Sequence, residues 1–226
     1  MQEFLLALPV LLFSMVAHEY AHGYAALRQG DQTALMLGRL TFNPIKHIDP
    51  WMTIMLPALL WIGSGGRMMF GGAKPVPVNP RNYRNYRRGD LIVSSAGIVT
   101  NLALAAVLLA ISVGIGMLGG GVGSENVTLV LLQRMTLTGV WINLLLAFFN
   151  VIPIPPLGGS HLFYYLLPPA MGARYRALSP YGLLVLPLLL VFLPGLFSLL
   201  LYPARLLYGA AMIVAAPYAL QPPPGW

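Results

Sequence analysis

Residues Phe4–Leu27 read FLLALPVLLFSMVAHEYAHGYAAL, an apolar run interrupted by Ser14, His18, Glu19 and His22. About 20 helical residues cross the hydrocarbon core of a bilayer, so the run is long enough to span. It then buries three ionisable groups within five residues, and no Lys or Arg stands on it before Arg28. Such groups disfavour insertion by at least ~2.5–3.5 kcal/mol for an Asp-like charge at a helix centre, and they mark function more often than solvation. The spacing suits a metal. Residues four apart on an α-helix lie ~40° apart in azimuth and ~6 Å apart along the axis. The imidazoles of His18 and His22 can therefore reach one tetrahedral ion at ~2 Å each. Glu19, one position on, stands where it can take a proton from an attacking water. Zinc is the default ion for two His with an open position.

The composition agrees with a membrane setting. Of 226 residues, 58% are hydrophobic and 8% are charged, and the mean hydropathy is +0.74. Soluble domains carry about 25% charged residues, so a soluble enzyme and a disordered tail are excluded. The chain has no Cys, hence neither disulfides nor thiolate metal sites. The net charge of +7 sits mainly in two loops, Arg28–Lys46 and Arg67–Arg88. Basic loops beside apolar segments fit the positive-inside bias and anionic headgroups. No nucleic-acid motif accompanies them, and no nucleic-acid partner is expected. The first apolar run lacks a basic n-region and a small-residue cleavage site, and reads as a retained span.

Further along, a polar connector reaches Asp49. Trp51–Gly63 is apolar but short, with Pro57 inside, and reads as tilted or re-entrant. Ser64–Asp90 is a long loop. Within it, Lys74–Pro80 cannot be helix, because its prolines lack donors and push their predecessors to extended geometry. Leu91–Leu118 (with Asn101) and Val127–Ile152 (with Asn143 and Asn150) read as helices around a Gly119–Asn126 turn. Pro153–His161 is a Pro/Gly break at membrane depth, where non-helical backbone persists only if protein or water satisfies it. Leu162–Leu167 continues an apolar element, Pro168–Pro180 reads as a loop, and Leu183–Leu201 with Leu206–Ala216 closes the chain. The expected fold is an all-α polytopic membrane protein with five or six transmembrane segments and a Pro/Gly-broken helix at the active site. It forms one domain over 1–226, with a core at 4–167 and C-terminal helices at 183–216. No sensor domain is expected.

Met15–Gly23 around H-E-x-x-H resembles the catalytic helix of the site-2 protease family of intramembrane zinc metalloproteases. Gly38–Pro50 (GRLTFNPIKHIDP), Ala73–Pro80 (AKPVPVNP), Ser94–Gly97 leading to Asn101, and Phe149–Leu157 (FNVIPIPPL) resemble its further blocks, in order. The resemblance implies Zn2+-dependent hydrolysis of a peptide bond within or near a transmembrane helix of a protein substrate. It implies His18 and His22 as metal ligands and Glu19 as catalytic base. It also implies a multi-pass protein in a bilayer, expected to be a prokaryotic cell membrane. Asn150 is the candidate for oxyanion stabilisation, and Pro75, Val76 and Pro77 are candidates for holding an unwound substrate as a strand edge.

The family's second signature continues Leu-Asp-Gly, and that Asp is the third zinc ligand. Here the position is Gly158, in Leu157-Gly158-Gly159-Ser160-His161. Glu3 and Glu125 lie at the ends of spans. Asp31 and Asp90, among basic residues, read as solvated. His47 and Asp49 match no ligand position. His161 is the candidate substitute. Three explanations stand: a relic that binds transmembrane helices without cutting them, a sequence change in an active enzyme, and a site compensated by His161 or water. A proton-relay transporter would show paired broken helices, and only one break is visible.

Overall fold

A computed structural model describes residues 2–63, 71–119 and 126–220. Its helices, in order, are α1 (Gln2–Gln29), α2 (Thr33–Met36), α3 (Leu56–Gly63), α4 (Tyr86–Leu118), α5 (Val127–Val151), α6 (Gly158–Tyr164), α7 (Pro169–Ala177), α8 (Gly182–Phe192), α9 (Pro194–Leu200) and α10 (Tyr202–Ala215). Among the described residues no strand occurs.

α1 runs unbroken for 28 residues and ends for a local reason. Gly30 takes a left-handed φ of 110°, its N–H donates to the Leu27 carbonyl, and the Asp31 N–H donates back to Ala26. This paired closure satisfies carbonyls that the helix end would leave open. Asp31 then turns inward. It is fully buried, contrary to the solvated expectation, because it gathers the Thr33 N–H and hydroxyl, the Asn79 N–H (2.7 Å) and the Asn82 side-chain amide (2.8 Å). Burial alone would raise its pKa, but these donors outweigh that and hold it below the usual carboxylate range.

α4 starts where the Asn85 side chain caps the Arg88 N–H, and α5 where Asn126 caps Leu129. These two helices pack along each other and α1 lies across both. Gly139 on α5 permits the crossing, since a Cβ there would stand 2.7 Å from Val10 and 2.8 Å from Leu108. Small residues at such crossings let backbones approach closely. α10 adds Ala204 and Ala211 to Ala105, Val140 and Leu144 in the main apolar cluster. α5 stops at Val151 because Pro153 lacks an N–H and disfavours helix at Ile152.

Among the described residues two helices, α4 and α5, are long and apolar enough to cross a membrane. Taking α9 and the following 202–218 helix, bent by 52°, as one span gives three. Length and composition identify two or three spans among the described residues, where the sequence reading expects five or six. The π-helical turn Pro50–Met55 and α3 together make 14 residues, about 21 Å of helix. Pro194 divides α8 from α9. Exposed Val99, Val107 and Ile111 on α4 present apolar surface of the kind lipid covers. Residues 169–177, expected as loop, form α7, with Pro169 in its first turn. Most of the Gly119–Asn126 turn, with Glu125, and the start of the second basic loop, with Arg67, lie outside the described residues.

Candidate metal centre

One turn of α1 and one stretch of α4 build the site. His18 is nearly buried at 8% exposure, and its ring occupies the space that Gly97 leaves on α4. A Cβ at 97 would overlap the imidazole. His18 Nδ1 pairs with Asn101 Oδ1. His22 Nδ1 donates to the Val93 carbonyl at 2.7 Å. A carbonyl only accepts, so His22 carries its proton on Nδ1 and leaves Nε2 bare. The two Nε2 atoms face each other at 3.0 Å, with the rings edge to face. With the proton on Nδ1 in His18 as in His22, two lone pairs meet there, an arrangement that a shared cation stabilises. Two ligands of one tetrahedral zinc, each ~2.0–2.1 Å from it, stand about 3.3 Å apart. The donor chemistry and the convergence of the pair therefore fit a metal ion. Outer acceptors on the distal ring nitrogens are the usual way that metal-binding imidazoles are oriented.

Glu19 lies beside the pair and is held from above. Its Oε2 accepts the Val76 N–H at 2.8 Å. Residues 71–79 form an extended strap over this part of α1. Arg39 grips the carbonyls of Lys74 (3.0 Å) and Pro75 (3.3 Å), the His47 carbonyl accepts the Lys74 N–H, and Asp31 holds the Asn79 end. Val76 is buried in a notch at Gly23, where a Cβ would lie 2.9 Å from Val76 Cγ1. Of the candidate strap residues, Pro75 is exposed and Pro77 half-buried.

The remaining candidates fall elsewhere. Asn150 donates its side-chain amide to Leu146 of its own helix. Gly158 sits against α4, where a Cβ would stand 2.6 Å from the Ser94 carbonyl oxygen and 3.7 Å from that of Asn150. His161 places Nδ1 3.0 Å from Asp90 Oδ1. Asp90, expected to be solvated, is buried, and its other oxygen accepts the Tyr165 hydroxyl with Arg176 3.7 Å away. This pair lines a cavity of about 290 Å³ beside the Pro/Gly break. Asp49 caps the Pro50–Met55 turn and His47 bonds Thr41, so neither joins the site. Among the described residues no three His, Cys, Asp or Glu gather as a metal-binding group. Asn101, Val93 and Gly97 had no place in the sequence reading of the ligand chemistry. The available signal was a lone Asn inside an apolar helix.

Residues 6–126 match the family described as Peptidase family M50. The chain belongs to this peptidase family. M50 is the site-2 protease family that the sequence motifs resemble. This M50 chain is 37% identical over 195 residues to the Bacillus subtilis (strain 168) protein YwhC, covering 85% of this chain and 82% of that one. It is 32% identical over 192 residues to Rip2 of Mycolicibacterium smegmatis, covering 83% and 67%. Both relatives carry the name "Putative zinc metalloprotease". No solved structure matches the chain. Membership in M50 and the apolar helices together are consistent with an integral membrane metallopeptidase.

Proposed function

We propose that this M50 chain is a zinc-dependent intramembrane protease that cleaves protein substrates within or near a transmembrane helix, in a prokaryotic cell membrane. The observation that carries the reading is the convergence of His18 and His22 Nε2 atoms at 3.0 Å, with Glu19 one residue from His18 on the same helix. His18 and His22 would hold the zinc. When bound, zinc supplies Lewis-acid polarisation that makes water nucleophilic near neutral pH. Glu19 accepts the proton of the attacking water and delivers it to the leaving amine. Asn150 and the backbone N–H groups of the Pro153–Gly159 break would steady the oxyanion, and a donor of that kind contributes ~2.7–4 kcal/mol in other enzymes. The strap residues Pro75, Val76 and Pro77 would hold the unwound substrate. A helix must unwind first, because its carbonyls are already bonded internally, so substrates with Gly, Pro or Asn near the scissile bond are favoured. In this reading α1 and the Pro50–Gly63 segment also lie in the membrane, which brings the count towards five or six segments.

A second reading has its own observation. Gly158 has no side chain to offer and packs on the Ser94 carbonyl, so the family's third-ligand position is empty of chemistry. That favours an impaired enzyme, or a pseudoprotease that binds transmembrane helices without cutting. His161, with Nδ1 on Asp90, is the proposed substitute ligand in a compensated site. The test is zinc content by elemental analysis of detergent-purified protein, alongside cleavage of a model transmembrane substrate. Near-stoichiometric zinc that disappears in His18→Ala, with cleavage abolished in Glu19→Gln, supports the protease. Zinc without cleavage assigns the pseudoprotease. Zinc below roughly a tenth of an equivalent, unchanged in His18→Ala, removes the metal from both readings.

A further inference from the structure

Three polar side chains extend inward from His18, and none belongs to H-E-x-x-H. Ser14, Asn101 and Asn143 stand on α1, α4 and α5, and each is 0% exposed. Asn143 Nδ2 donates to the Gly139 carbonyl at 2.9 Å and to Ser14 Oγ at 2.8 Å. Asn101 Nδ2 donates to Asn143 Oδ1 at 2.7 Å, and Asn101 Oδ1 faces His18 Nδ1.

The direction of this chain follows from its far end. A backbone carbonyl can only accept, so Asn143 must turn its NH2 towards Gly139. Its Oδ1 then faces Asn101 and requires a donor, which only the Asn101 NH2 supplies. Asn101 Oδ1 is thereby turned to His18, and it accepts from Nδ1–H. A neutral imidazole carries one ring proton, so Nε2 is left bare on the side facing His22. We infer that Asn143 is a positioning residue: with the Gly139 carbonyl as fixed terminus, it sets through Asn101 the tautomer of His18 that turns a lone pair towards His22. His22 needs no such relay, because the Val93 carbonyl fixes it directly. The two imidazoles are thus set by two separate devices that agree. The use of the relay rests on the metal reading above, whereas the tautomer itself does not.

Full-length, metal-free protein labelled with 15N-histidine tests this, with the His18 signals assigned by their loss in His18→Ala. The parent is expected to show His18 protonated at Nδ1. In Asn143→Leu the Asn101 amide loses its partner and is free to turn over. The His18 signals are then expected to report a mixture of tautomers, and zinc affinity to fall about 10- to 100-fold, the usual effect of losing an outer-shell partner. Ser14→Ala, which keeps the Gly139 terminus, is expected to retain both the tautomer and the affinity. Asn101→Asp combined with Asn143→Leu is expected to restore the tautomer, because a carboxylate accepts from Nδ1–H whatever stands at 143. General helix-packing damage would show no such rescue. A parent with His18 protonated at Nε2 overturns the relay, and this decides the matter even where Asn143→Leu fails to fold. A folded Asn143→Leu with tautomer and zinc affinity unchanged overturns it as well. A parent with the Nδ1–H tautomer that binds no zinc supports the relay and removes the metal reading instead.

Discussion

At the scale of single residues, the centre depends as much on an absent side chain as on those present. Gly97 makes room for the His18 ring, so Gly97→Ala is expected to displace the imidazole and lower zinc affinity by about 10- to 100-fold, measured by competition with a chromophoric chelator. Glu19→Gln should do the reverse, keeping zinc while slowing cleavage by ~10²–10⁴, the usual range for a lost general base. A Glu19→Gln protein that cuts at the parental rate would deny Glu19 its role. His18, Glu19 and His22 were legible in the sequence because helical periodicity fixes their relation, and because such groups are improbable in an apolar span. Asn101 and Val93 were not, because they meet His18 and His22 across 83 and 71 residues of chain. Their contact depends on how α4 is rotated against α1, which local pattern does not specify. Gly97 was seen only as part of a motif, since the meaning of a glycine lies in what it approaches.

Between elements, two contacts decide how the site is framed. α6 meets α4 at Gly158, where a Cβ would fall 2.6 Å from the Ser94 carbonyl oxygen, and backbone cannot step aside as a side chain can. Gly158→Asp and Gly158→Ala are both expected to lower stability by ~1–3 kcal/mol, the usual range for overpacking, as a reduced melting temperature in detergent. Any gain of cleavage in Gly158→Asp should therefore be judged against Gly158→Ala, which carries the same steric burden without a carboxylate. The other contact is Asp31, which ties the start of the connector to the strap. Its donors hold the folded carboxyl below its unfolded pKa of about 3.9, so its contribution is fully present above that value and is lost as pH falls through the lower folded one. Parent protein should lose stability below about pH 4 more steeply than Asp31→Asn, whose stability is lower at pH 7 and flatter in acid. Parallel curves would show that the buried carboxylate is not the titrating link. The sequence placed Asp31 in solvent because its neighbours are polar and basic. Its burial follows from the left-handed turn at Gly30, a detail of backbone closure.

At the scale of the whole molecule, α1, α4 and α5 form one bundle, and the candidate centre bridges two of them. A metal held by the native bundle and not by the unfolded chain stabilises it, by ~2.7 kcal/mol when free zinc is a hundred times the dissociation constant. Chelation should accordingly lower the melting temperature and zinc should restore it, whereas His18→Ala should melt at one temperature with or without zinc. The all-helical, membrane-suited architecture was readable from hydropathy and low charge. The number of spans was not. Prolines cut the C-terminal apolar stretch into α8 and α9, and hydropathy does not tell one span from two there.

The Val76 N–H that rests on Glu19 gives the protein an occupant of its own. A tethered amide competes with any incoming group at a high local concentration, often millimolar for short connections. An incoming amide that takes Oε2 therefore does so by exchange, one amide leaving as the other arrives. If the chain cleaves peptides as proposed, each turnover that uses Oε2 includes the release of the protein's own backbone from it.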